Sequence, residues 1–296
     1  MTTAARLFLV DVFTQHAFLG NPVAIVIAPV ELPDARMLQI AQWTGMPETV
    51  FVLPQTADVS AGEADYRVRI WSPRRELPFA GHPSIGAAHV MLANDSIRTR
   101  GGRFVQLSPA GPVEMRVVST ADAQCIFFRT PVPQIQALDA PAGRAVLATL
   151  GHAATEPEVC IVDAGARWLV AVLPTADEVD RLIPDFDALN RLSELHHVSG
   201  VTVCGATGLR EIPYEVRSFA PAIGVPEDAV CGGGNACAAA LIARNRHWAV
   251  GATTCVVGQG KHLRRSGRVF WEGPDAQRRI EIGGFAVTVS EGSFHI

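Results

Sequence analysis

Two stretches of this chain, about half its length apart, repeat one unit. Arg69-Ile-Trp-Ser-Pro73 runs into Gly81-His82-Pro83, and Arg217-Ser-Phe-Ala-Pro221 runs into Gly232-Gly233-Gly234. The likeness extends upstream, where Pro33-Asp34, Leu38, Ala41, Val50 and Val52 recur 151 residues later as Pro184-Asp185, Leu189, Leu192, Val201 and Val203. A duplicated unit constrains the fold to a pseudo-twofold arrangement with one cleft. At this spacing Glu48 falls opposite Ser199, so an ionisable group stands on one side only.

The 296 residues, 48% of them hydrophobic, suffice for two lobes with separate cores. Net charge of -4 and pI near 6.1 leave no basic field for nucleic acid or an anionic membrane surface. The start of the chain lacks the pattern of a signal peptide, and no apolar run reaches the ~20 residues that span a bilayer. A cytoplasmic protein is expected. The six cysteines are scattered in a chain too large to need disulfide staples and read as reduced, buried residues. No Cys-x-x-Cys or His-Glu-x-x-His pattern occurs, and the adjacent His196 and His197 diverge on a helix, so no metal is expected.

Period and punctuation place the elements. Leu7–Phe13 and Pro22–Ile27 read as strands, Asp34 as the N-cap of a helix stopped by Gly45, Thr49–Leu53 and Tyr66–Trp71 as strands, and Gly81 as the start of a helix reaching Asn94. Proline just inside a helix start, as at Pro83, costs no hydrogen bond. The second half repeats the order, with strands at Val159–Val162, Trp168–Leu173, Val201–Cys204 and Tyr214–Phe219, and helices at Asp185–Leu195 and from Gly232. Strands lie at 104–118 and 125–129, the chain crosses between lobes near Pro131-Val-Pro133, and the last strands, near Ile280 and Phe285–Val289, close either sheet. The fold class is therefore α+β, with two pseudo-symmetric lobes of mixed strands about a central helix. The first lobe spans 1–121, with 285–296 as a candidate closing strand, and the second spans 122–284.

Each aromatic-x-Pro strand leads to a glycine loop that opens a helix, where N–H groups and the dipole attract anions. Tight packing explains one such loop; two point to binding of a small carboxylate, with Gly81, Pro83, Gly232 and Gly233 around it. The second loop matches neither the Walker pattern nor Gly-x-Gly-x-x-Gly, and nucleotide binding has little support. Glu48, at the mouth of an apolar strand, reads either as an exposed turn charge or as a group that both gives and takes a proton. His82 reads as a cap or as a donor and proton shuttle. Asp228 reads as a solvated turn residue or as an acceptor for a substrate amine or hydroxyl. Cys231 opens the second helix, where the dipole favours a thiolate. Its counterpart is Ala80, which disfavours a racemase with two thiols.

Gly20-Asn21-Pro22, Pro47-Glu48-Thr49-Val50-Phe51, Glu76-Leu77-Pro78-Phe79-Ala80-Gly81-His82-Pro83-Ser84-Ile85-Gly86 and Gly224-Val225-Pro226-Glu227-Asp228 resemble the PhzF-like phenazine-biosynthesis family. The resemblance spans both halves and implies the diaminopimelate epimerase fold, each lobe a mixed sheet (open barrel) wrapped around a central helix, with the active site in the cleft between lobes. It further implies a homodimer and a cofactor-free isomerase in which Glu48 is the acid/base of a proton shift on a cyclic carboxylic acid, supported by His82 and Asp228. The family's second loop reads Asp-Pro-Val-Thr-Gly-Ser, whereas here Gly233 replaces the serine, which bears on the substrate. Ala229-Val-Cys231-Gly-Gly-Gly-Asn-Ala-Cys237 is also similar to the second cysteine loop of diaminopimelate epimerase and proline racemase. Two further readings stay open: an amino- or imino-acid epimerase with Glu48 and Cys231 on opposite faces, and a metabolite-binding protein without chemistry.

Overall fold

A computed structural model describes residues 3–54, 64–120, 123–154, 158–245 and 254–296. The chain forms two compact units, Met1–Arg129 with Gly283–Ile296, and Thr130–Ile282.

In the first unit the elements are β1 (Ala4–Val12), β2 (Asn21–Ile27), α1 (Asp34–Thr44), β3 (Thr49–Leu53), β4 (Tyr66–Trp71), the short β5 (Glu76–Leu77), α2 (Gly81–Ala93), β6 (Arg103–Ser108), β7 (Gly111–Ser119) and β8 (Gln124–Arg129). The terminal strand Ala286–His295 pairs antiparallel with β1. From it the sheet runs β1, β2, β3, β4, β6, β7, β8. The pairs β2–β3 and β4–β6 are parallel and the others antiparallel. This sheet wraps α2, which packs against β1, β2, β3, β8 and the terminal strand. A helix enclosed in this way is apolar all round and built from small residues. Ile85, Ala87, Ala88 and Val90 are buried, and a Cβ at Gly86 would meet Val23 Cγ1 at 2.7 Å. On the sheet's other face, Met37, Ile40 and Ala41 of α1 pack on Val26, Phe51, Leu53 and Trp71.

The second unit repeats this order: β9 (Gln134–Ala137), α3 (Ala140–Ala148), β10 (Glu158–Asp163), β11 (Arg167–Thr175), α4 (Ala176–Asp180), α5 (Phe186–His196), β12 (Val201–Ala206), β13 (Tyr214–Ala220), β14 (Val225–Asp228), α6 (Gly232–Arg244), β15 (Thr254–Gln259) and β16 (Gly267–Glu272). β17 (Glu281–Gly284) precedes the terminal strand, β18. The sheet runs β9, β10, β11, β12, β13, β15, β16, parallel only at β11–β12 and β13–β15, the same pattern as in the first unit. It wraps α6, which packs against β10, β11, β12 and β16. Leu189 of α5, Val179 of α4 and Val146 and Leu147 of α3 cover its outer face over Leu169, Val201, Val203 and Phe219.

The repeated arginine has a structural cause. Residues two apart on a strand share a face, so Arg69 lies over the Trp71 ring (5.5 Å to the centroid) and Arg217 over Phe219 (4.9 Å). Each guanidinium grips, through two N–H groups, a glutamate on the short strand that leads to the glycine loop. Arg69 holds Glu76 at 2.6 and 2.6 Å, and Arg217 holds Glu227 at 2.9 and 2.9 Å. Arg69 also bonds Asp34 at 2.7 Å, whereas Arg217 donates to the carbonyls of Val179 and Leu182.

Several details differ from the sequence reading. Pro33, in extended conformation, occupies the N-cap of α1 with no side-chain hydrogen bond, because the Asp34 carboxylate turns to Arg69. Asp185 does cap α5 through the Ala188 N–H. The boundary expected at 121/122 falls outside the described residues, and β8 beyond it pairs with β7 in the first unit. The short strands β5, β9 and β14 and the pair β15–β16 were not anticipated.

The six cysteines are buried and not disulfide-linked. Burial pushes the Cys204 and Cys255 thiols up to about 12. Since an unfolded thiol titrates near 9.0, the neutral thiols stabilise the fold fully below that pH, and the contribution falls as pH rises through about 12. Native protein at pH 8 should resist iodoacetamide at both residues, read by mass spectrometry, and Tm should decline above pH 9.0. Arg217 is more buried than Arg69, with side-chain exposures of 5% and 21%. Arg217→Met, which strands Glu227, should therefore cost about 3–5 kcal/mol in urea unfolding, and Arg69→Met about 1 kcal/mol or less.

Candidate functional site

In the first unit three chain segments bring Glu48, His82 and Asn21 together. Gly45, at φ 64°, ends α1, and a short turn through Pro47 delivers Glu48 to the head of β3. There its carbonyl accepts from Ala24 N at 3.2 Å. Thr44 and Thr49 hydroxyls, 2.9 Å apart, fasten the turn. His82 is the second residue of α2, opened by Gly81 with Pro83 third. Asn21 begins β2. It can do so only because Gly20 precedes it, since a Cβ there would meet the Val12 carbonyl at 2.4 Å.

Glu48, His82 and Asn21 are 7%, 4% and 1% exposed. Glu48 Oε2 lies 3.2 Å from His82 Nε2, and Asn21 Nδ2 lies 3.2 Å from His82 Nδ1. An amide nitrogen donates only, so Nδ1 is the acceptor, and Nε2 lies on the side of the ring toward the carboxylate. The arrangement is a buried carboxyl group beside an imidazole whose far nitrogen is held by an amide. It resembles the nucleophile-free half of an acid/base relay. Deeper in α2, Ser84 accepts from Gln106, whose amide oxygen accepts from Tyr66.

In the second unit the helix start is ordered by a glutamine. Gln259 Oε1 accepts from Cys231 N (3.1 Å) and Asn235 Nδ2 (2.7 Å), while its Nε2 donates to the Asp228 carbonyl (3.1 Å). Asn235 also bonds Cys231 O and accepts from Trp271 Nε1 at 3.0 Å. Asp228 thus ends β14 with its backbone fixed against the start of α6. Cys231 is the N-cap of α6, its Sγ accepting from Gly234 N at 3.2 Å, and Gly232 and Gly233 open the helix. Gly234 lies so close to Thr202 and Ser218 that a Cβ would meet Thr202 Oγ1 at 2.3 Å.

The paired helices match as expected: Ala80 and Cys231 are the N-caps, and His82 and Gly233 the second residues. The strand register, however, moves the partner of Glu48. Ala24 N donates to Glu48 O as Leu169 N donates to Gly200 O, so Gly200 rather than Ser199 corresponds to Glu48. The 151-residue spacing places it one residue early, because the helices α1 and α5 and the strands β3 and β12 are themselves offset by one residue more, Thr49 corresponding to Val201. No side chain fits at Gly200, where a Cβ would meet the Phe219 carbonyl at 2.1 Å. Gly200→Ala should therefore destabilise the protein by about 2 kcal/mol or more through forced backbone movement, read by thermal unfolding.

Asn21 and Gln259 were not singled out from sequence. Asn21 had a signal, the Gly-Asn-Pro turn beside an apolar strand; Gln259 had none, being an isolated polar residue in an apolar strand. Among the described residues no group of three or more His, Cys, Asp or Glu could hold a metal ion, and no helix is long and apolar enough to cross a membrane.

Two units of one topology, each a mixed sheet closed on a helix whose glycine start carries polar side chains, define the diaminopimelate epimerase-like class of α+β proteins. Residues 10–292 match the family described as phenazine biosynthesis-like protein, PhzC-PhzF, and the chain belongs to that family as one of its isomerases. The antisense-enhancing sequence 1 protein of Schizosaccharomyces pombe is 37% identical over 231 residues, 76% of each chain. The trans-2,3-dihydro-3-hydroxyanthranilate isomerase of Pseudomonas fluorescens is 29% identical over 96% of this chain and 97% of its own. The crystal structure of a PhzF-family phenazine biosynthesis protein from Bacillus anthracis superposes with a TM-score of 0.84 at 22% identity, covering 99% of this chain and 100% of that one.

Proposed function

We propose that this isomerase moves a proton on a small cyclic carboxylic acid without a cofactor, with Glu48 as the acid/base. The observation that carries the reading is the buried pair in which His82 Nε2 lies 3.2 Å from Glu48 Oε2. A buried carboxyl group beside an imidazole is suited to take a proton from carbon and return it to another carbon of the same substrate. In the proposed cycle the Glu48 carboxylate removes the proton, the electron pair shifts along the conjugated system, and the resulting carboxylic acid delivers the proton at the far carbon. His82 holds Glu48 and the substrate in register, and Asp228 accepts from a substrate amine or hydroxyl. The helix starts at Gly81 and Gly232 take the carboxylate. The relative from Pseudomonas fluorescens is named for a substrate of this class, a hydroxylated cyclic amino acid.

The epimerase alternative assigns a second proton transfer to Cys231. Serine is a favoured N-cap, so Cys231→Ser retains the capping contact to Gly234 while removing the thiol. Turnover of trans-2,3-dihydro-3-hydroxyanthranilate and hydrogen exchange with deuterated solvent, followed by NMR, test both readings. Glu48→Gln should lower both by about 10²–10⁴-fold, and Cys231→Ser should leave them within about threefold. Undiminished exchange in Glu48→Gln would sink the proposal, and loss of turnover in Cys231→Ser would favour the epimerase.

A further inference from the structure

The register that sets Gly200 against Glu48 also sets Trp168 against Val23, each one residue before the strand N–H that bonds that loop. Both side chains face their central helix. Val23 is small and packs on α2 at Gly86, whereas Trp168 is large and meets glycine at the second position of α6. The atom nearest to where a Cβ at Gly233 would lie is Trp168 Nε1, at 3.3 Å. Trp168 is 3% exposed, and its Nε1–H has no hydrogen-bond partner. Buried indole N–H groups ordinarily find an acceptor.

The same helix start holds further open donors. Cys231 Sγ takes the N–H of Gly234 and Cys231 O that of Asn235, whereas the N–H groups of Gly232 and Gly233 make no hydrogen bond within the protein among the described residues. Two backbone donors at a 13-residue helix's positive end and one buried indole donor therefore converge at Gly233.

We infer that Trp168 is a substrate-binding residue, its indole N–H joining the Gly232 and Gly233 N–H groups to bind one carboxylate of a planar cyclic acid. Trp168 is then the second unit's replacement for the imidazole donor of the first. The donor cluster stands on its own geometry, while its role toward substrate rests on the isomerase reading.

The test uses anthranilate, a planar cyclic amino carboxylate, titrated into full-length protein carrying ¹⁵N-labelled tryptophan, with Trp168→Phe identifying the resonance. The Trp168 indole signal should move and saturate. Trp168→Phe should weaken anthranilate binding about tenfold or more, as loss of a hydrogen bond to a charged group requires, and should raise KM with little change in kcat. In Trp168→Phe/Gly233→Ser a hydroxyl replaces the lost donor where the smaller ring leaves room, and binding should recover. If Trp168→Phe does not fold, Gly233→Ala, whose Cβ presses on Nε1, should weaken binding in its place. An indole signal that stays put, binding within twofold of wild type in the single variants, or no recovery in the double variant overturns the assignment. The result is separable from the acid/base proposal: Glu48→Gln should keep the indole shift and lose exchange, and exchange surviving in Glu48→Gln would defeat that proposal while leaving the Trp168 shift in place.

Discussion

The arginine–glutamate clamp fixes what each half of this chain can present. The strand that carries the arginine must turn back through a proline and a short strand before the chain enters the central helix. Without an anchor, that return would be a surface loop free to shift by several ångströms. The fork of Arg69 on Glu76, and of Arg217 on Glu227, ties the return to the sheet at a two-bond distance, and the aromatic residue two positions on supports the guanidinium from below. The glycine loop is thereby held at a fixed distance from the sheet edge. The two clamps are not equal. Arg69 shares its charge with Asp34 of α1, while Arg217 spends its third donor on two carbonyls near α4.

A second constraint follows from enclosure. A sheet that wraps a helix on nearly every side favours small residues there, and α2 and α6 are accordingly rich in glycine and alanine. Such helices have little side-chain surface with which to fix their own ends. The protein compensates with buried polar residues one turn in, Ser84 and Asn235, each held by a glutamine from a neighbouring strand, Gln106 and Gln259. These bonds set the rotation of each helix, and so the direction in which its first N–H groups point.

Much of this was legible in the residues. The strands at 49–53 and 66–71 and the helix starts at Gly81 and Gly232 stand where punctuation and periodicity place them, because apolar runs bounded by proline and glycine leave few alternatives. The motifs marked Glu48 and His82 as site candidates, whereas their direct contact depends on how the head of β3 and the start of α2 meet in space. The misplacements share a cause. Asp34 looked like a cap because local sequence cannot show that Arg69 competes for its carboxylate, and Ser199 looked like the partner of Glu48 because spacing along the chain cannot show strand register. Long-range pairing decides both. The Gln259 network lay out of reach for the same reason, as its partners come from β14, α6 and β16.

Register also explains why the duplication is asymmetric in chemistry. The site corresponding to Glu48 holds Gly200 under the Phe219 carbonyl, so the second unit has no space there for any side chain, ionisable or not. The site corresponding to His82 holds Gly233, and the volume it vacates is filled from the strand by Trp168. These are compensating exchanges within a conserved outline: a large strand residue with a glycine helix start in one unit, a small strand residue with a histidine helix start in the other. At these corresponding positions the first unit keeps a buried carboxyl group beside an imidazole. In the second, the helix start presents the N–H groups of Gly232 and Gly233 and the thiol of Cys231. A duplicated frame thus carries different chemistry at its two helix starts, and the difference is set by which side chains each strand register admits.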